Sequence, residues 1–338
     1  MKPLFCTTAA QQLGEDLLGT AGHYQAYVLI ECSLPWAAKV FNSEGFPPAL
    51  RQFIEAIKAK RSVQFLCINR GQSATPTHTT VLLYERTQPT ANSFSNGYKG
   101  YEFQLNSLDQ VIDCLQTYWQ TARSAKPITG IQDILICTHG QRDKCCARFG
   151  QPFFRAAQHL RNLGKLPNTR LWRVSHIGGH RFAPTAIAFP DGRYYGRLSA
   201  NALQSIVNRT GDISQIRSVY RGWGILPLPL QVLERQLMLS HGWDWFDYRV
   251  SYQLLTAPTS SGLVKATLTV EQPSGTETFH PEERSEKTYH ATLMRDPNQA
   301  HCLRASCSAA RPSVFVKYAV ADCKLGQKVE QQSSLISQ

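Results

Sequence analysis

Residues 131–146 read IQDILICTHGQRDKCC, and a segment of helical periodicity follows them up to Leu163. Residues 131–137 form a short apolar β-type run with Asp133 near its start. From Asp143 onward, Phe149, Phe153, Ala157 and Leu160 recur on one helical face, and Gly164 suits the C-terminal cap. Residues 171–174 read as a second strand that ends at Ser175-His176. Residues 186–189 and 193–197 then form a hairpin through Pro190-Asp191-Gly192, and Ser199 caps a helix to about Asn208. Two strands joined through a helix run parallel, so their C-terminal ends gather at one sheet edge, where α/β layers carry their sites. Cys137 and His176 stand at those two ends.

Upstream, residues 26–105 repeat this outline. Residues 26–32 (AYVLIEC) are a β-type run, and Leu50, Phe53, Ile54 and Ile57 mark a helix over 48–60. Strand-like runs follow at 63–68, 80–85 and 101–105, and a helix near Ser107 carries Leu108, Val111, Ile112 and Leu115 on one face. Both segments read β-α-β-β-β-α or a close variant, the order of a thioredoxin-like layer. Each has a cysteine after its first strand, Cys32 and Cys137. The expected fold class is α/β, two tandem thioredoxin-like α/β layers with a small β-rich C-terminal appendage, and only the second copy keeps a metal site. The expected divisions are 1–125, 126–225, a helix plus β-rich region over 226–326, and a polar, disordered tail over 327–338. In the third, a helix over 231–240 ends at Gly242, and alternating stretches at 248–255 and 263–270 read as strands.

A chain of 338 residues exceeds one ordinary core, and 42% hydrophobic with 18% charged residues fits a folded soluble protein. No window approaches a membrane span. The N-terminal stretch lacks an apolar signal region and carries Glu15 and Asp16, so it reads as a polar lead into a short helix and the expected compartment is the cytoplasm. Ten cysteines in such a chain point to metal or redox work for the clustered ones. Cys67 and Cys114, set in apolar runs, read as small buried hydrophobes. Residues 141–200 hold eleven Lys/Arg against two acids, a large part of the net charge of +12. That surplus reads either as a solvated face or as a docking surface for an acidic redox partner. It lacks a nucleic-acid motif, so nucleic acid ranks last as a partner.

Cys137, Cys145 and Cys146, with His176 and His180 of HIGGH, bring thiols and imidazoles to neighbouring strand ends. That donor set suits zinc or an iron-sulfur centre of mixed ligation. Gly178 and Gly179 would spoil a helical H-x3-H, so both imidazoles are expected to point from one tight loop. The C-x-x-C of thiol oxidoreductases is absent from this stretch. Cys302, Cys307 and Cys323 fit no strong template and read as unpaired structural or surface thiols.

Cys137-x8-Cys146 enclosing THGQRD, then HIGGH at 176–180 and the run from Gly179 to Leu198, resembles the sucrase/ferredoxin-like family, as does ECSLPW at 31–36. The likeness spans residues 25 to 235. It implies a thioredoxin-like ferredoxin layer over 126–225 and a 2Fe-2S cluster, with Cys137 and Cys146 on one iron and His176 and His180 on the other. Cys145 stands as a substitute for Cys146. The function implied is electron transfer or redox sensing with proton-coupled one-electron uptake, a carrier more than a stand-alone enzyme. A structural zinc on the same Cys2His2 set is the alternative. No paired-carboxylate site supports glycosidase chemistry.

Overall fold

A computed structural model describes residues 5–71, 78–86, 93–121, 125–256, 262–273 and 286–326. The chain opens with helix α1 (Cys6–Gln12). The first layer is β1 (Ala26–Glu31), α2 (Pro48–Lys60), β2 (Val63–Asn69), β3 (Thr79–Glu85), β4 (Lys99–Leu105) and α3 (Val111–Thr121). A short β5 (Lys126–Ile128) leads into the second layer: β6 (Gln132–Cys137), α4 (Gln151–Asn162), β7 (Thr169–Val174), β8 (Ala186–Phe189), β9 (Arg193–Tyr195) and α5 (Ala200–Asn208). Strand β10 (Tyr220–Trp223) extends that layer's edge, and α6 (Leu228–His241) follows.

The two layers share one topology. In the first, β1 pairs parallel with β2 and antiparallel with β3, which pairs antiparallel with β4. In the second, β6 pairs parallel with β7 and antiparallel with β8, which pairs antiparallel with β9. The layers meet edge to edge through Ile68–Val174 and Asn69–Arg173, so ten strands make one sheet in the order β10-β9-β8-β6-β7-β2-β1-β3-β4-β5. Strand β1 lies inside it and is buried throughout. Its alternating side chains feed two cores, Tyr27 and Leu29 on one face, Ala26, Val28 and Ile30 on the other beneath α2 and α3.

The sheet curls back on itself. Tyr84 of β3 stacks on Phe189 of β8 at 4.2 Å although five strand steps separate them. Tyr27 and Tyr194 join their hydroxyls at 2.7 Å across the same contact. Fully buried Asp133 at the start of β6 accepts from Trp172 and Arg170, and from Tyr84 of the other layer, while Arg170 reaches Glu102 of β4. These charged and aromatic links join the layers in addition to their short shared edge.

Register corrects one expectation from the sequence. Ala26 faces Val63 as Gln132 faces Thr169, so Glu31 takes the place of Cys137, and Cys32 that of Thr138. One residue of slip turns a side chain to the opposite face. Cys32 therefore joins Cys67 in the core under α2 and α3 and is no counterpart of Cys137.

The C-terminal region is a four-stranded antiparallel sheet of β11 (Arg249–Leu254), β12 (Val264–Glu271), β13 (Glu286–Arg304) and β14 (Pro312–Leu325). Val264, Ala266, Leu268 and Val270 alternate into the same core as the buried face of α6. The long β13 and β14 escape a reading from periodicity because most of their positions are exposed or half-buried, so no alternating buried face marks them. The tail expected over 327–338 lies outside the described residues. Among the described residues no helix is long and apolar enough to cross a membrane.

Candidate metal centre

Parallel β6 and β7 end together, with Cys137 beside Val174, and the Thr138 amide still donates to the Val174 carbonyl. The chain then turns through 139–143, and the Asp143 carboxylate accepts the Cys145 amide at 2.8 Å. A wide π-helical turn over Cys146–Gly150 precedes α4 and packs against the end of β6. Gly150 permits that approach, since a Cβ there would lie 2.0 Å from the Cys137 carbonyl oxygen. Adjacent residues on a helical turn diverge. Cys146 turns toward Cys137 and His176, whereas Cys145 turns away to Cys6, with sulfurs 3.3 Å apart.

Beyond β7 the histidine loop passes through Gly178 (φ +79°) and Gly179 (φ +71°), left-handed angles that favour glycine. A Cβ on Gly179 would meet the Arg221 guanidinium at 2.5 Å. The buried Arg221 holds the loop by donating to the Gly178 carbonyl and to Thr20. This bend brings the rings of His176 and His180 into a stack with centroids 5.0 Å apart.

The ligating atoms of Cys137, Cys146 and His176 lie within 4.8 Å of one another, with Cys146 Sγ 3.7 Å from His176 Nδ1. His180 stands outside that group, next to it through the ring stack. Its Nε2 meets the Ala305 carbonyl, which can only accept, so the proton sits on Nε2 and the Nδ1 lone pair is free. That Nδ1 is buried and has no hydrogen-bond partner among the described residues. Burial holds the His180 pKa below its ordinary value despite the Ala305 carbonyl and Asp143, which keeps the ring neutral. A hydrogen bond donated by Cys146 draws the Cys137 thiol well down against the opposing effect of burial, with His176 adding to it. The Cys146 thiol, as donor to Cys137 and as a buried group, is pushed up. Thiolate and neutral imidazole are the forms that bind metal, and the free Nδ1 is a donor with nothing else to do. The residues present fit a metal or cluster held by two thiols and two imidazoles.

His139, inside the motif, is a positioning residue. Its Nε2–H donates to the Ala37 carbonyl at 2.8 Å, and its Nδ1 accepts the His176 amide at 3.3 Å. Both ring nitrogens are used, so it holds the histidine loop in place. Sequence reasoning missed it, and missed Cys6 as well. Of the unpaired structural or surface thiols, Cys307 is the structural kind: it is half-buried, with its sulfur 3.2 Å from Cys145 Sγ. Cys302 and Cys323 are exposed, in keeping with that reading for them.

The basic surplus divides in space. Arg170 pairs with Asp133 and Glu102, Arg181 with Glu15, and Arg193 with Glu234, all acids from outside residues 141–200. Arg142, Lys144, Arg148, Arg155, Arg161 and Lys165 remain exposed. Lys144, Arg148 and Arg155 line a cavity of about 780 Å³ that also touches Trp36 and His139. His176 borders a second cavity of about 660 Å³ with Arg221 and Tyr194.

Relatives named altered inheritance of mitochondria protein 32 match part of the chain. The protein from Meyerozyma guilliermondii is 34% identical over 97 residues, 27% of this chain and 34% of its own length. That from Clavispora lusitaniae is 36% identical over 95 residues, 26% and 34% respectively. The chain thus spans about a third of the length of these curated relatives. No solved structure matches. The sucrase/ferredoxin-like family matches residues 17–222, which takes in both layers and the whole Cys/His centre. By that match the chain belongs to the sucrase/ferredoxin-like family.

Proposed function

We propose that the chain is an electron-transfer or redox-sensing protein in which Cys137 and Cys146 hold one iron of a 2Fe-2S cluster and His176 and His180 the other. The observation that carries this reading is the buried Nδ1 of His180, without a partner among the described residues, on a ring stacked beside His176. Ligands of a single tetrahedral ion, at 2.0–2.3 Å from it, lie within about 4.6 Å of each other. His180 falls outside the 4.8 Å group of the other three donors, which favours a two-metal centre over one zinc. Bound there, the cluster supplies one-electron transfer at a potential above that of an all-cysteine centre. The protein's own part is to bury the two thiols, orient both imidazoles and hold a proton at His180 Nε2 against the Ala305 carbonyl. The half-buried His176 borders the smaller cavity, which gives a path for a proton. Electron uptake is proton-coupled on this reading.

Exposed Lys144, Arg148 and Arg155 beside His139 suit an acidic redox partner. All ten cysteines are unpaired, and the compartment proposed is the cytoplasm, where thiolate ligands stay reduced. The test is protein purified without air. Visible charge-transfer bands with about two iron and two sulfide per chain support the cluster. A colourless protein with zinc bound by two sulfurs and two nitrogens overturns it.

A further inference from the structure

Three cysteines that the Cys137 centre does not use converge beside it. Cys6 Sγ lies 3.3 Å from Cys145 Sγ, Cys145 Sγ 3.2 Å from Cys307 Sγ, and Cys307 Sγ 3.5 Å from Cys6 Sγ. An oxygen of Asp143 joins them, with all four donor atoms within 4.8 Å of one another. Cys6, Asp143 and Cys145 are buried and Cys307 is half-buried, with Phe5 and Phe149 packed alongside.

A disulfide accounts poorly for this cluster. Its sulfurs sit about 2.05 Å apart, and pairing two of three thiols strands the third. Three sulfurs on one tetrahedral zinc at 2.3 Å lie about 3.8 Å from each other, a few tenths of an ångström beyond the separations here. The carboxylate is also prepared, since Asp143 Oδ1 accepts the Cys145 amide at 2.8 Å and Oδ2 the Cys307 amide at 3.0 Å. Each oxygen keeps a second lone pair for a cation. Three soft donors and one carboxylate select zinc over the hard divalent ions.

We propose that Cys6, Cys145 and Cys307, with Asp143 as fourth ligand, form a structural zinc site separate from the Cys137 centre. The ion joins three remote segments: helix α1, the loop leading to Cys146, and the turn between β13 and β14. It thereby fixes the turn whose Ala305 carbonyl holds His180 Nε2. Adjacent residues Cys145 and Cys146 serve two different centres.

The experiment is zinc K-edge absorption and metal analysis on the full chain purified without air. The expected result is about one zinc per chain, bound by three sulfurs at about 2.3 Å and one oxygen. Cys6→Ser with Cys307→Ser should lose that zinc and keep the iron, Cys137→Ser should lose iron and keep zinc, and Cys302→Ser should change neither. Zinc bound by two sulfurs and two nitrogens, zinc retained in the Cys6→Ser/Cys307→Ser chain, or a zinc-free protein with three free thiols overturns the proposal. So does a peptide map with Cys145 disulfide-linked to Cys6 or Cys307. Iron and sulfide content is read independently: a chain with iron and sulfide but no such zinc leaves the cluster reading standing, and an iron-free chain with zinc on three sulfurs and one oxygen leaves this proposal standing.

Discussion

At the scale of single residues, two histidines beside the same centre have opposite fates. His180 keeps a free, buried Nδ1, whereas His139 spends both nitrogens on the backbone. His180 was legible from HxGGH, but the role of His139 was not, because it depends on the Ala37 carbonyl and the His176 amide. His139→Ala should strip a partner from the Ala37 carbonyl and the His176 amide and cost about 2 kcal/mol or more. Urea unfolding measures that loss, and an unchanged midpoint would deny His139 its positioning role. His176→Cys should retain visible absorption and show a lower reduction potential, since a thiolate adds negative charge to the centre. An unchanged or higher potential in voltammetry would remove His176 from the ligand set. In the parent protein the potential should fall by about 59 mV per pH unit where one proton accompanies one electron. A potential flat from neutral to strongly alkaline pH contradicts proton coupling.

Elements differ in how far local pattern betrays them. Helix α2 runs over Pro48–Lys60 as its apolar spacing predicts, because one face meets the sheet and the other meets water. The three residues of β5 and four of β10 are too few to show a period, and both complete sheet edges. The joint between elements near the metal centre is electrostatic. Fully buried Glu15, just after α1, receives Arg181 of the histidine loop at 2.8 Å and Lys317 of β14 at 3.1 Å. Burial alone would raise Glu15, but the Arg181 hydrogen bonds and the Lys317 charge outweigh it and hold the carboxyl below its ordinary 4.5. A depressed folded-state value means that this stability is present above about pH 4.5 and is lost as pH falls through the folded value. Glu15→Gln leaves the half-buried Arg181 and the buried Lys317 without their counter-charge and should cost about 3 kcal/mol at pH 7. Its acid-unfolding profile should be flatter than the parent's below pH 4.5, as circular dichroism at graded pH will report. Parallel profiles would mean that the triad does not couple these elements.

Over the whole molecule, charge was legible as a sum and illegible as a surface. The eleven basic residues of 141–200 include Arg170, Arg181 and Arg193, which face acids brought from Asp133, Glu102, Glu15 and Glu234. What reaches solvent near the centre is Arg142, Lys144, Arg148 and Arg155. Oxidation of the reduced protein by the hexacyanoferrate(III) anion should therefore be fast and slow down with salt. Lys144→Glu with Arg148→Glu and Arg155→Glu should reduce that rate about tenfold and raise the rate with hexaammineruthenium(III). Stopped-flow traces that ignore both salt and charge reversal would deny the patch a part in electron exchange.

Short-range spacing determined what the sequence could tell by itself: helix and strand periods, two layers of equal order, and a pool of thiols and imidazoles at two strand ends. These follow from backbone geometry over a few residues, which each stretch carries independently of the rest. Only the tertiary structure decided that Cys146, and not Cys145, faces Cys137, and that Cys6 and Cys307 meet Cys145 across 139 and 162 residues. It also decided that the C-terminal sheet is part of the core. Such contacts depend on how whole elements pack, and a one-residue change of register or one turn of helix reverses which side chain points where.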